Sequence, residues 1–196
     1  MPTTIFFVRH GQSENLEKIN YGRMPGYPLS ETGTAQAEAD GKYFADKKIT
    51  AIFTSPLERS FQTADIIAKA CPSATVEHVF DLNEAEATHW QGMKVEELFT
   101  NSFYETFVND PDADIGTENL TEVAARMEKT LQEILSKHKG QNIVCVSHEF
   151  PILALKLKLE GKPLQSMKTY HLPMGGVLSF TFDDSGKFVK TEEVSV

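Results

Sequence analysis

Apolar positions along the chain follow two rhythms. Residues 5–8, Ile-Phe-Phe-Val, form an unbroken run of β-branched and aromatic side chains that stops on Arg9, His10 and Gly11. A run this short, with no polar alternation, predicts a strand covered on both faces. Comparable runs occupy 51–54 and 143–146, further strands are expected near 75–80 and over 177–182, and a turn at 183–186 leads to a candidate edge strand. Between these runs the apolar residues recur at helical spacing. The longest such pattern covers 119–137, with Leu120, Val123, Met127, Leu131 and Ile134 on one face, and shorter ones cover 34–44, 57–70 and 152–159. The punctuation agrees: Ser30 can cap the first helix, Ser55-Pro56 reads as a cap followed by a first-turn proline, and Pro151 precedes the last helix. Gly22, Pro25, Gly26 and Pro28 make 14–29 a loop.

Strand and helix alternate for most of the length, which predicts an α/β fold, a three-layer sandwich with a mostly parallel central sheet. Residues 86–116 break the rhythm. No strand or long helix fits there, yet Trp90, Phe99, Phe103, Tyr104 and Phe107 crowd into the segment. It is expected to be a small inserted helical lid within one domain spanning 1–196. In sheets of this kind ligands bind beyond the carboxyl ends of the strands. Arg9-His10, Ser55, Glu84 and Ser147-His148 all fall at such ends.

Charge and composition narrow the partners. The chain of 196 residues carries a formal net charge of −9. An acidic molecule is a poor match for nucleic acid or an anionic membrane surface, while a local cluster of Arg and His can still hold a small anion. No apolar stretch approaches the ~20 residues that span a bilayer, and the start of the chain lacks the basic and apolar regions of a secretion signal. The two cysteines, Cys71 and Cys145, suggest no disulfide framework. A cytoplasmic protein is expected, with a second copy of the chain as an allowed partner.

Arg9 offers a planar fork of donors suited to phosphate, and His10 a nitrogen nucleophile partly neutral near pH 7. One Arg-His-Gly tripeptide is weak; an ordered set is not. R-H-G at 9–11, L-S-E-T-G-x-x-Q-A at 29–37, S-P-L-E-R-x-x-Q-T-A at 55–64, L-N-E with W-Q-G at 82–92, and S-H at 147–148 together resemble the histidine phosphatase superfamily, in its phosphoglycerate mutase-like branch. The resemblance implies His10 as the residue that takes the phosphoryl group, Arg9, Arg59 and His148 as phosphate ligands, and Glu84 as general acid. Ser13, Asn15, Arg23 and Glu149 are the expected further substrate contacts, and neither a metal nor a cofactor is implied. The chain departs from the family pattern in three places. The asparagine that usually lies six residues after the nucleophilic histidine is replaced by Leu16, with Asn15 one position early; the loop before Leu29 lacks an aspartate; and Glu149-Phe150 stand where a Gly-Gly pair is common.

Two activities of this family need separating. A mutase must hold a second anionic end of its substrate, yet from 95 to 127 the only basic residue is Arg126. That favours a metal-independent phosphatase acting on a small phosphomonoester. A phosphoglycerate mutase and a catalytically idle phospho-ligand binder are the alternatives. The lid rings, with no cation expected nearby, point to a leaving group that is neutral or positive and partly apolar.

Overall fold

The apolar runs pair into a single six-stranded sheet in the computed structural model, which describes residues 1–196. The strands are β1 (Thr3–Arg9), β2 (Ile49–Thr54), β3 (Thr75–His78), β4 (Asn142–Ser147), β5 (Val177–Phe182) and β6 (Phe188–Val194). Their order across the sheet is β3-β2-β4-β1-β5-β6. The first four are parallel; β5 and β6 run antiparallel, joined by the turn after Phe182. In-register pairing sets Arg9 beside Ser147 and Thr54 beside Val146, so the ends of the three inner parallel strands meet at one rim.

Six α-helices cover the faces: α1 (Glu31–Phe44), α2 (Glu58–Ala70), α3 (Val95–Leu98), α4 (Ser102–Asn109), α5 (Leu120–Lys137) and α6 (Glu149–Leu159). Helices α1 and α2 pack on one face over Phe6, Val8, Ile52 and Val144; α5 and α6 pack on the other over Ile5, Phe7, Ile143 and Cys145. Alternate residues of β1 therefore point to opposite cores, as the two-residue period of a strand requires. Ser30 caps α1 by accepting from the Gly33 N–H, and Asn119 with Glu122 forms a reciprocal capping box at the start of α5.

Three expectations are revised. Helix α2 starts at Glu58 with Leu57 as its cap residue and no capping side chain; Ser55 accepts from the Leu57 N–H at 3.3 Å, ahead of the helix, while its hydroxyl donates to Asn83. Helix α6 starts at Glu149, three residues earlier than the apolar pattern indicates, with Pro151 in its first turn. The strand expected over 75–80 ends at His78 and passes into a 3-10 turn, Phe80–Leu82. Segment 86–116 holds the short helices α3 and α4. Trp90, Leu98 and Phe107 from it are buried in the larger core, while Phe99 and Phe103 stay exposed.

Candidate active site

The parallel strand ends bring His10, Arg59 and His148 into contact, all three buried. Arg59 stands in the first turn of α2, two residues after its cap, and its side chain turns back over the rim. Its Nε lies 3.1 Å from His10 Nε2. A guanidinium only donates, so Nε2 is the acceptor, and the neutral ring carries its proton on Nδ1, which faces the Gly11 carbonyl at 2.7 Å. The imidazole is held with its lone pair on Nε2, where it accepts from a cation. Burial, then the charges of Arg59 and Arg9, hold the His10 pKa well below its ordinary value, against an opposing contribution from the Gly11 hydrogen bond.

His148 is fixed by the same reasoning from the other side. Arg59 Nη2 sits 3.3 Å from its Nδ1, leaving Nε2–H to donate to Ser55 Oγ at 3.0 Å, with Ser60 Oγ at 3.3 Å. The Ser55 hydroxyl passes the chain on to Asn83 Oδ1 at 2.6 Å. Burial and Arg59 keep His148 neutral as well. The two imidazoles meet edge to face at 5.0 Å. The 14–29 loop closes over Arg59: the Gly22 carbonyl accepts from Nη2 at 2.8 Å, and the Tyr21 ring lies 4.6 Å from the guanidinium carbon. No carboxylate forms an ion pair with Arg59, whereas Arg9, Arg23 and Arg126 each have one. Arg59 is the uncompensated cation of the site, which suits it to an incoming anion.

Arg9 ends β1 and donates through Nη1 to Glu149 Oε2 (2.7 Å) and to the Leu172 carbonyl (2.5 Å), while its buried Nε has no partner. The other Glu149 oxygen accepts from the Leu172 N–H and meets His171 Nδ1 at 2.7 Å. The Glu149 carboxylate therefore orients Arg9 and is turned to its own partners. Glu84 follows the 3-10 turn and accepts only from the Ala85 N–H, at 2.8 Å. Burial raises its pKa above the ordinary carboxylate value, against smaller lowering contributions from that hydrogen bond, Arg59 and Arg9, so the carboxyl is biased toward the protonated form a proton donor needs.

The remaining candidates separate. Ser13 is buried, with Tyr21 Oη at 3.4 Å from its hydroxyl. Asn15 is not brought to the histidines: its amide donates to the Ile19 carbonyl and accepts from the Ile19 N–H, closing a turn of its own loop. Arg23 reaches the Glu84 segment rather than open space, donating to the Glu84 carbonyl at 2.7 Å and to Glu118 at 3.0 Å. Sequence reasoning missed Asn83, Ser60, Glu118, Arg126 and His171. The L-N-E motif carries Asn83 and the G-T-E-N-L stretch carries Glu118, but only the fold shows what each one touches. A cavity of about 610 Å³ lies beside Glu149, walled by Tyr104, Phe150, Leu153 and Met167. Its rim corrects the expectation of no cation near the lid, since Lys168 reaches Asn109 Oδ1 at 3.0 Å and His171 lines the same space. No group of three or more His, Cys, Asp or Glu side chains is gathered as a metal site would require, and no helix is long and apolar enough to cross a membrane.

Comparison with known proteins covers nearly the whole chain. The family model described as histidine phosphatase superfamily (branch 1) matches residues 5–194. An uncharacterized protein of Mycobacterium tuberculosis is 36% identical over 165 residues, covering 83% of this chain and 81% of that protein. A protein named metal-independent phosphoserine phosphatase, from Arabidopsis thaliana, is 30% identical over 164 residues, covering 80% of this chain and 68% of its own. Among solved structures, phosphoserine phosphatase from Entamoeba histolytica in complex with 3-phosphoglyceric acid superposes with a TM-score of 0.85 at 25% identity, covering 99% and 98% of the two chains.

Proposed function

We propose, for a chain that belongs to branch 1 of the histidine phosphatase superfamily, that His10 hydrolyses a small phosphomonoester through a phosphohistidine. The observation that carries the reading is the His10–Arg59 contact: an imidazole with its lone pair on Nε2, 3.1 Å from a guanidinium that no carboxylate neutralises. Phosphoryl transfer asks a protein mainly for alignment and for positive charge around the equatorial oxygens.

In the first step the Nε2 lone pair forms the N–P bond as the P–O bond to the leaving group breaks, and Glu84 gives its proton to the departing alkoxide oxygen. In the second, the Glu84 carboxylate takes a proton from water, whose oxygen attacks phosphorus. The N–P bond breaks, inorganic phosphate leaves, and His10 and Glu84 return to their starting forms. Arg59 and the unpaired Nε of Arg9 bind the nonbridging oxygens. An ester that arrives as its monoanion passes its proton to His148 Nδ1, which donates it back to a nonbridging oxygen while Ser55 holds Nε2–H, and the proton leaves with the inorganic phosphate.

The leaving group is expected to lie toward the Tyr104–Phe150 cavity. With Glu105 and Lys168 on its rim, that cavity suits a group bearing an amine and a carboxylate together, as phosphoserine does. Hydrolysis of p-nitrophenyl phosphate and phosphoserine, with and without chelator, tests the reaction; 3-phosphoglycerate supplied with 2,3-bisphosphoglycerate tests mutase activity. His10→Ala should lose both turnover and acid-labile phosphoryl labelling. Near-wild-type turnover by that variant would end the covalent reading, and a clear preference for mutase turnover would displace phosphatase as the main activity.

A further inference from the structure

Glu84 is held almost entirely by its backbone. Its carboxyl makes one hydrogen bond, to the N–H of the next residue. The accuracy of proton delivery therefore depends on what fixes the 81–86 segment, and three charged side chains from two distant parts of the chain do so. Arg126, in the second turn of α5, donates Nη1 to the Asp81 carbonyl at 2.6 Å and Nη2 to the Glu84 carbonyl at 3.2 Å. Arg23, from the 14–29 loop, donates Nε to the same Glu84 carbonyl at 2.7 Å.

Between the two arginines lies Glu118, in the turn just ahead of α5. Its Oε1 accepts from Arg126 Nε at 2.5 Å. Its Oε2 accepts from Arg126 Nη2 and Arg23 Nη2, each at 3.0 Å, and from the Glu86 N–H at 3.2 Å. The Glu118 and Arg126 side chains are 14% exposed and Arg23 is 25% exposed. The pair with Arg126 is bidentate, the geometry in which a guanidinium and a carboxylate hold each other most rigidly.

We propose that Glu118 is the positioning residue of the reaction: it clamps Arg23 and Arg126 onto the Asp81, Glu84 and Glu86 backbone and so sets where the Glu84 proton sits. Arg23 belongs to this brace, which explains why its donors face Glu84 and Glu118 instead of a substrate. Glu118 makes no hydrogen bond to His10, Arg59 or His148; its route to the phosphate site is indirect, through Arg23 to the neighbouring Gly22 carbonyl that accepts from Arg59, and the affinity for inorganic phosphate reads that route separately. The inference rests on Glu84 as proton donor.

Those limits shape the test. Without the brace, kcat/KM should fall where the leaving group needs a proton and hold where it does not. Glu118→Ala is compared with wild type on phosphoserine, whose alkoxide is a poor leaving group, and on p-nitrophenyl phosphate, whose phenolate is a good one. The expected loss in kcat/KM, which reads the first phosphoryl transfer and not the hydrolysis of the phosphohistidine common to both substrates, is roughly tenfold or more on phosphoserine and under about threefold on p-nitrophenyl phosphate, with the inhibition constant of inorganic phosphate within about threefold of wild type. Arg126→Met should show the same split, and it carries the test if Glu118→Ala does not melt cooperatively. Equal losses on both substrates in the folded variants, or no loss on either, would overturn the inference. Glu84→Gln is measured alongside. If it shows no split, Glu84 is not the proton donor and the parent reading fails; if it shows the split and the brace variants do not, the brace alone fails.

Discussion

A guanidinium cannot accept a hydrogen bond, and that constraint settles the tautomers of two histidines at once. With Arg59 donating to both, His10 is left with a lone pair on Nε2 and His148 with a proton on Nε2 for Ser55. The fork geometry makes the arrangement specific to arginine, because a lysine ammonium cannot hold Nε and Nη2 at two separate acceptors while lying over Tyr21. Arg59→Lys is therefore expected to lower kcat/KM by about 10²-fold or more with the fold retained by circular dichroism; a loss under tenfold would mean that charge alone suffices. The same buried setting gives the pH profile its signs. His10, lowered below 6.5, stays a free base through neutral pH, so its acid limb lies below that value. Glu84, raised above 4.5, supplies an alkaline limb in kcat/KM as it loses its proton, and Glu84→Gln should remove that limb from kcat/KM.

At the level of elements, most of the architecture could be read from the chain because it rests on local rules. Continuous apolar runs gave the buried strands, and the spacing of Leu120 to Ile134 gave α5. The error at α2 has a clear cause: a side chain needed by the site leaves its local role. Ser55 reads as a helix cap, yet its hydroxyl serves His148 and Asn83, and α2 starts uncapped. Asn15, Arg23 and Glu118 were beyond reach because their partners lie 4, 61 and 8 residues away or more, in directions that only the folded loops decide. One element-scale feature was hidden in plain view. Gly11 and Gly33 bring the His10 loop and the first turn of α1 into backbone contact: a Cβ on Gly33 would meet the Gln12 carbonyl oxygen at 2.0 Å, and one on Gly11 would meet the Gly33 oxygen at 2.4 Å. Gly33→Ala must push α1 away from the strand end. Urea unfolding should show a loss of roughly 2–4 kcal/mol together with a fall in kcat. Wild-type stability in this variant would show that the contact is slack.

Over the whole molecule, stability should depend on pH through groups that folding denies their usual charge. His10 and His148 are buried neutral, and their native pKa values are lowered, so below about 6.5 the unfolded chain takes up protons that the native state refuses. Acid therefore destabilises the protein through this pair. Asp40 acts in the opposite sense. It faces inward from α1, 1% exposed, its Oδ2 has no partner, and burial pushes its pKa up to about 8 from 3.8. The native state keeps this proton while the unfolded chain loses it, so stability falls as pH rises from about 4 to about 8 and levels off above. Asp40 lines a cavity with Pro173, Gly175 and Gly176, and Gly175 donates to the Arg9 and His10 carbonyls, so stability is compared together with kcat for each variant. Asp40→Leu should be more stable than wild type, with an advantage that widens by about 2–4 kcal/mol between pH 5 and pH 8 and then stays constant. Urea denaturation of both proteins at pH 5, 6.5, 8 and 9 measures that difference. An advantage that does not change with pH would mean that Asp40 finds compensation when ionised, and that the neutral-pH stability of this fold is limited elsewhere.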